Sequence, residues 1–221
     1  MRIARLPASR RVWIFDLDNT LHDARPYFFP EMHVQMNQWL RVNLNLDEAG
    51  ANALRSLFWQ KYGTTMAGLV RHYGMNPKRF IQETHNFRHY EARVTYDNAL
   101  RHALARLPGK KLIFSNAPRH YVDGVLGAIG VRRFFSAIYT IEDTRYRPKP
   151  ALHGFHMLMR AHKLDPHRCA FIDDALENLH AAKRLGLETV WVSRGLGKPR
   201  FVDARIASVL ELPGLAFRNV A

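Results

Sequence analysis

Val12-Trp13-Ile14-Phe15-Asp16-Leu17-Asp18-Asn19-Thr20-Leu21 joins an apolar run to two carboxylates and a hydroxyl. Val12 to Phe15 read as a short strand buried on both faces. The acids that follow need water or a metal ion, because a buried unpaired charge is costly. In an open α/β sheet that place is the crevice beyond the carboxyl ends of the strands. Asp16 and Asp18 stand two residues apart, so beside a strand end both can point towards one site. The competing reading is a strand followed by an Asx-rich turn, with Asp18 and Asn19 bonded to nearby backbone.

The chain around this stretch has 221 residues, enough for one domain with a sizeable core, or for a core plus a smaller insert. A hydrophobic content of 47% with 24% charged residues fits a globular protein. No run approaches the ~18 apolar residues of a membrane span, so no membrane partner is expected. Met1-Arg2-Ile3-Ala4-Arg5-Leu6-Pro7 is basic with no apolar stretch behind it, so a secretory leader is not expected. The single cysteine, Cys169, lies in the apolar run Cys169-Ala170-Phe171-Ile172 and reads as a small buried hydrophobe. These features favour the cytoplasm.

The formal net charge is +14, which would suit a polyanion or nucleic-acid partner. The basic residues are scattered, however. Their densest places, Arg2 to Arg11 and Arg145 to Lys149, lack the interleaved aromatics of a stacking platform. Nucleic-acid binding is therefore disfavoured as the main function, and attraction of a small anionic substrate is the simpler account. Oligomeric state is left open.

Residues 1–11 read as a basic, weakly ordered lead-in. From His22 to about Arg93 the spacing is helical. Met32, Met36, Trp39 and Leu40 form one set, and Leu54, Leu57, Phe58 and Tyr62 a second. Met66, Leu69, Val70 and Tyr73 form a third. Phe80, Ile81 and Thr84 form a fourth, begun by Asn76 as N-cap and Pro77 at the first helical position. Gly63, Gly74 and the polar stretch from Asn43 to Asp47 separate them. Trp39, Phe58, Trp59, Tyr62 and Tyr73 are expected in the core and interface of this block.

From Tyr96 strands and helices alternate. Strands are expected at 111–114, 137–141, 169–172 and 189–193, with helices between them, and the tail from Ala204 to Leu212 adds a short strand and a turn of helix. This predicts an α/β fold with a Rossmann-like parallel sheet and helices on both faces, plus an inserted all-helical cap domain. The core is expected over 1–21 and 94–221, and the cap over 22–93.

Three strands end in residues suited to phosphate chemistry: Asp16-x-Asp18-x-Thr20, Ser115-Asn116, and Asp173-Asp174. All would lie on one rim of the sheet, with the basic loop Arg145-Tyr146-Arg147-Pro148-Lys149-Pro150 between them. Asp16, Asp18, Asp173 and Asp174 together would repel one another unless a hard cation joined them, and oxygen ligands with room for water suit Mg²⁺. Thr20, Ser115, Asn116 and Lys149 are candidates to cradle a phosphate. Taken singly, each has a plainer role. Ser115 with Asn116, and Asp173 with Asp174, could cap the helices that follow. Lys149 could be a solvated lysine, and Thr20 could bond only its own loop.

Asp16-Leu17-Asp18-Asn19-Thr20, Ser115, Lys149 and Asp173-Asp174 match, in order, the four motifs of the haloacid dehalogenase superfamily, which the sequence resembles over about 180 residues. The helical block resembles the cap that closes over the active site in one large branch. More narrowly, Phe15 to Leu21 and Phe171-Ile172-Asp173-Asp174-Ala175-Leu176-Glu177-Asn178-Leu179 resemble the pyrimidine 5′-nucleotidase-like group. His22 and Ala175 depart from it, standing where Tyr and Ser are usual.

The resemblance implies a phosphomonoester hydrolase with Asp16 as nucleophile, forming an aspartyl-phosphate, and Asp18 as general acid and base. It implies Mg²⁺ held by Asp16, the Asp18 backbone carbonyl, Asp174 and Asp173, the last direct or through water, with Ser115 and Lys149 on the phosphate. The expected substrate is a nucleoside 5′-monophosphate, with pyrimidine the first choice. A phosphatase or phosphomutase for another small phosphorylated metabolite is the alternative. Dehalogenase chemistry is disfavoured, because that branch lacks an acid at the position of Asp18. A non-catalytic anion- or polyanion-binding module is the alternative of another class. His85 and His89 stand four apart as zinc ligands might, but no third ligand lies at suitable spacing. Either could touch substrate from the cap.

Overall fold

Four consecutive apolar side chains stay dry only where both faces of a strand are covered. The computed structural model, which describes residues 11–217, puts Val12–Phe15 in such a place. The expected lead-in lies outside the described residues except for Arg11. Among the described residues six strands, β1 (Val12–Phe15), β2 (Lys110–Phe114), β3 (Ala137–Tyr139), β4 (Cys169–Asp173), β5 (Glu188–Val192) and β6 (Ala204–Ile206), form one sheet. Its order is β3-β2-β1-β4-β5-β6, and every pairing is parallel. β1 is central: Val12 lies opposite Lys110 on one side and Cys169 on the other.

The order of the helices follows the alternation. α1 (Phe28–Leu44), α2 (Glu48–Tyr62), α3 (Thr65–Tyr73), α4 (Pro77–Thr84) and the single turn α5 (Tyr90–Arg93) come between β1 and α6 (Leu100–Arg106). Then α7 (Arg119–Ala128), α8 (Leu152–His162), α9 (Leu176–Arg184) and α10 (Leu212–Phe217) follow β2, β3, β4 and β6. Side chains alternate across the strands, so two cores form. Trp13, Phe15 and Ile113 pack against α6 and α7 on one face. Ile14, Leu112, Phe114 and Phe171 pack against α8 and α9 on the other.

A third core joins α1 to α4, with Trp39, Leu40, Phe58, Leu69, Phe80 and Ile81 buried in it. Of the others expected in the core and interface of this block, Tyr73 is largely exposed, while Trp59, also exposed, lines the cavity that faces the sheet edge. The helical block is not insulated from the sheet. Phe28 and Phe87 are buried with the first core and meet Tyr121 of α7 at ring-centroid distances of 5.2 and 5.3 Å. β3 is shorter than expected. Thr140 bonds the Asp143 carboxylate through both its N–H and its hydroxyl. Ile141 turns away to join the third core.

Candidate active site

Asp16 follows β1 directly, and its N–H donates to the Ile172 carbonyl at 2.9 Å, extending the β1–β4 ladder by one residue. Ser115 extends β2 the same way, with its N–H on the Tyr139 carbonyl at 3.0 Å, and Asp173 is the last residue of β4. Because β2, β1 and β4 are adjacent and parallel, these three ends meet on one edge.

Lys149, from the loop before α8, crosses that edge. Its ammonium donates to Asp16 Oδ1 at 2.7 Å, the Phe114 carbonyl at 2.9 Å and Asp173 Oδ2 at 3.0 Å, so its three protons are all engaged. Asn116 holds the loop in place, accepting from the Lys149 N–H at 2.7 Å and donating to the Lys149 carbonyl at 3.1 Å. The side chains of Lys149 and Asp173 are almost wholly buried. Asp173 is further held by the Ala175 N–H and by Asn178, whose amide reaches both of its oxygens. The Ser115 hydroxyl accepts from the Ala117 N–H at 3.0 Å, which leaves its proton free to donate. The Thr20 hydroxyl is buried with no hydrogen-bond partner among the described residues.

The charges do not balance. Asp16, Asp173 and Asp174 each bring one oxygen within 4.8 Å of the others, and among the described residues Lys149 is the one cation bonded to them. Burial pushes the Asp16 carboxyl well above the ordinary carboxylate range; Lys149 pulls it down, while Asp173, Asp174 and Asp18 push it up. Burial and then Asp173 push Asp174 up to about 6, against Asn19 and Lys149. Burial alone would lower Lys149, but Asp16 and Asp173 override it and hold the ammonium above the usual lysine value. Uncompensated repulsion among hard oxygen donors is the environment a divalent cation relieves, so these carboxylates fit a metal ion.

Asp18 stands apart from this cluster. Its Oδ1 accepts from the Tyr121 hydroxyl at 2.6 Å and lies 2.9 Å from His22 Nε2. The His22 side chain is fully buried, while 19% of the Asp18 side chain stays exposed. That exposed part faces a cavity of about 610 Å³ between the helical block and the sheet edge. Met32, Met36, Trp59 and Phe80 supply apolar wall, and Arg55 and His85 supply polar groups. Tyr121 and Asn178 lie outside the site residues that the sequence predicts. Tyr121 carries no local signal, lying 103 residues from its partner. Asn178 has as its sequence signal only its place in the run Asp173 to Leu179, and His22 only its departure from the usual Tyr.

Comparison with known proteins bears on this geometry. The family model described as haloacid dehalogenase-like hydrolase matches residues 11–186. The Saccharomyces cerevisiae protein named Phosphate metabolism protein 8 is 24% identical over 196 residues, which cover 81% of this chain. The chain spans 60% of that relative's length. Among solved structures, a HAD phosphatase from Thermococcus onnurineus has a TM-score of 0.67 at 17% identity, covering 93% of this chain and 97% of its own. CbbY from Rhodobacter sphaeroides, in complex with phosphate, gives 0.62 at 18%, covering 91% and 96%. L-2-haloacid dehalogenase from Xanthobacter autotrophicus, with chloropropionic acid covalently bound, gives 0.61 at 16%, covering 96% and 99%. At these identities the likeness to solved structures is one of fold.

Proposed function

The chain belongs to the haloacid dehalogenase-like hydrolase family, and from that premise we propose that it is a Mg²⁺-dependent phosphomonoesterase acting on nucleoside 5′-monophosphates, pyrimidine ones first. One observation carries the choice of phosphoester over haloacid. Asp18, a second acid two residues beyond Asp16, is held by Tyr121 and His22 at the mouth of a cavity that can receive a leaving group. Displacing a halide needs no proton donor, whereas releasing an alkoxide does. The substrate class is drawn from the resemblance to the pyrimidine 5′-nucleotidase-like group, and the cavity is roomy enough for a nucleoside.

In this reading an Asp16 oxygen attacks phosphorus as the bond to the leaving oxygen breaks, and the electron pair goes to that oxygen with a proton from Asp18. Water then attacks the aspartyl-phosphate and yields its proton to Asp18, and the Asp16 carboxylate is regenerated. Ser115 holds a phosphate oxygen, Lys149 holds another by sharing one of its three engaged protons, and Thr20 offers a further hydroxyl, while Asn116 keeps the Lys149 loop in position. Lys149 also lessens the repulsion between the Asp16 carboxylate and an anionic substrate. Asp16, Asp174, the Asp18 carbonyl and Asp173, direct or through water, would hold Mg²⁺, which when bound neutralises phosphate charge. Residues 22–93 act as the cap and the rest of the chain as the core. The buried free thiol of Cys169 agrees with a cytoplasmic setting, and among the described residues no helix is long and apolar enough to cross a membrane.

The test is phosphate release from a panel of phosphomonoesters that includes nucleoside 5′-monophosphates, with Mg²⁺ and with EDTA. Release that needs metal and is lost in Asp16→Asn is expected, with nucleotides leading the ranking. No release across the panel by folded protein overturns the proposal.

A further inference from the structure

The cavity wall near Asp18 carries a histidine for which the reaction above has no use. His85 directly follows α4, is buried, and lines the cavity. Its carbonyl accepts from His120 Nε2 at 2.7 Å. The next residue of α7, Tyr121, bonds the Asp18 carboxylate. Consecutive residues of one helix thus tether the His85 backbone and the Asp18 side chain at the same end of the cavity.

The protonation pattern of the ring follows from counting donors. The Thr84 hydroxyl has one proton and donates it to the Phe80 carbonyl at 2.7 Å. Its 2.9 Å contact with His85 Nδ1 must then be one in which the hydroxyl accepts. Nδ1 therefore carries the ring proton, and Nε2 presents a lone pair. No described residue bonds Nε2, and because His85 lines the cavity a ligand there can supply its partner. Burial and then His120 lower the pKa of the ring to about 4, against a weaker upward pull from Asp18, so it is neutral at physiological pH.

We propose that His85 Nε2 accepts a hydrogen bond from the leaving group, so that the preferred substrate is a phosphomonoester with a hydroxyl or N–H donor a few bonds from the ester oxygen. This rests on the phosphomonoesterase reading. With phosphate at Lys149 and Ser115 and the ester oxygen at Asp18, a leaving group that extends into the cavity can reach His85, which lines it. A ribose 3′-hydroxyl meets the requirement. A leaving group that lacks a donor and displaces water from Nε2 leaves that acceptor unpaired, which is how polar sites reject such analogues.

The test compares matched substrates: uridine 5′-monophosphate with its 2′,3′-dideoxy analogue, and glycerol 1-phosphate with propyl phosphate. Wild type should favour the hydroxylated member by about tenfold or more in kcat/KM in at least one pair. His85→Phe should bring that ratio close to one by losing only the hydroxylated substrate. His85→Gln, whose amide oxygen accepts, should keep part of it. A ratio retained in His85→Phe, equal losses on both members, or no preference in wild type overturns the inference. Nitrogen-15 spectra of the wild-type protein read the ring directly. A bare Nε2 is expected, and a protonated Nε2 overturns the inference independently of any variant's folding. Asp16→Asn separates the two levels: activity surviving in it overturns the phosphomonoesterase reading itself, and this inference falls with it.

Discussion

Tyr121 contributes a single hydroxyl to the site, yet that hydroxyl is the shortest contact Asp18 makes. Its ring is fixed by packing on Phe28 and Phe87, so the donor is placed before substrate arrives. Removing it should misplace the general acid without touching phosphate binding. For Tyr121→Phe we expect kcat to fall about tenfold or more on an alkyl phosphate, whose leaving oxygen needs a proton. On p-nitrophenyl phosphate, whose leaving group departs as an anion, kcat should change little. Equal losses on both would assign Tyr121 a packing role only. A second residue-scale prediction concerns acid. His85 has a folded pKa of about 4, against about 6.5 for an unfolded histidine. The unfolded chain therefore takes up the proton first as pH falls. The stability tied to the neutral ring is complete above pH ~6.5 and is lost progressively down to pH ~4, by at most roughly 3 kcal/mol. Urea unfolding at pH 7 and at pH 4.5 should show a steeper loss for wild type than for His85→Gln. Equal pH slopes would remove His85 as the cause.

The helices begin and end where local chemistry directs. Asn76 Oδ1 accepts from the N–H groups of Lys78 and Arg79, with Pro77 at the first turn of α4. Gly63 and Gly74 stop α2 and α3 at φ of 78° and 60°, the left-handed region that glycine enters most readily. These boundaries were legible because caps act over three or four residues. The α2–α3 packing was not. There Gly68 of α3 lies under the Phe58 ring of α2, and a Cβ at Gly68 would stand 2.2 Å from Phe58 Cγ and 2.6 Å from its Cβ. Turning the ring cannot relieve contacts so close to the backbone. Gly68→Ala gains up to about 1 kcal/mol of helix propensity, but overpacking costs about 1–3 kcal/mol. A net loss of about 1–2 kcal/mol in thermal or urea unfolding is expected; unchanged stability would mean that α2 and α3 can separate. β3 shows the same limit. Ala137 to Ile141 has a continuous strand pattern, but Thr140 and Asp143 form a turn that sends Ile141 into the cap core.

Across the whole molecule, a chain of net charge +14 concentrates four carboxylates at one sheet edge. The surrounding positive charge favours anionic substrates in solution, and the cluster itself favours a cation. Folding thus holds repulsion that metal binding can release. At a Mg²⁺ concentration tenfold above its dissociation constant, binding to the folded state should add about 1.4 kcal/mol, or roughly 3–6 °C in Tm. Asp174→Asn should reduce that shift and leave the metal-free protein at least as stable as wild type, because burial and Asp173 already disfavour the Asp174 charge. A Tm that ignores Mg²⁺ in wild type would remove these carboxylates as a metal site.

The strand and acidic turn at Val12 to Leu21, the alternation that makes a parallel sheet, the capped helices and the grouping of Asp16, Ser115 and Asp173 on one rim are all properties of the sequence alone. They follow from side-chain period, local hydrogen bonding and the rule that parallel strands share an edge. The partners of the acids belong to the tertiary structure. Asp16 and Asp173 find Lys149 across 133 and 24 residues, and Asp18 finds Tyr121 across 103. The open Nε2 of His85 depends on a hydroxyl whose proton is already given to Phe80. Such pairings depend on strand order and helix packing, which put residues remote in the chain within 3 Å, and no local pattern in the sequence encodes that distance.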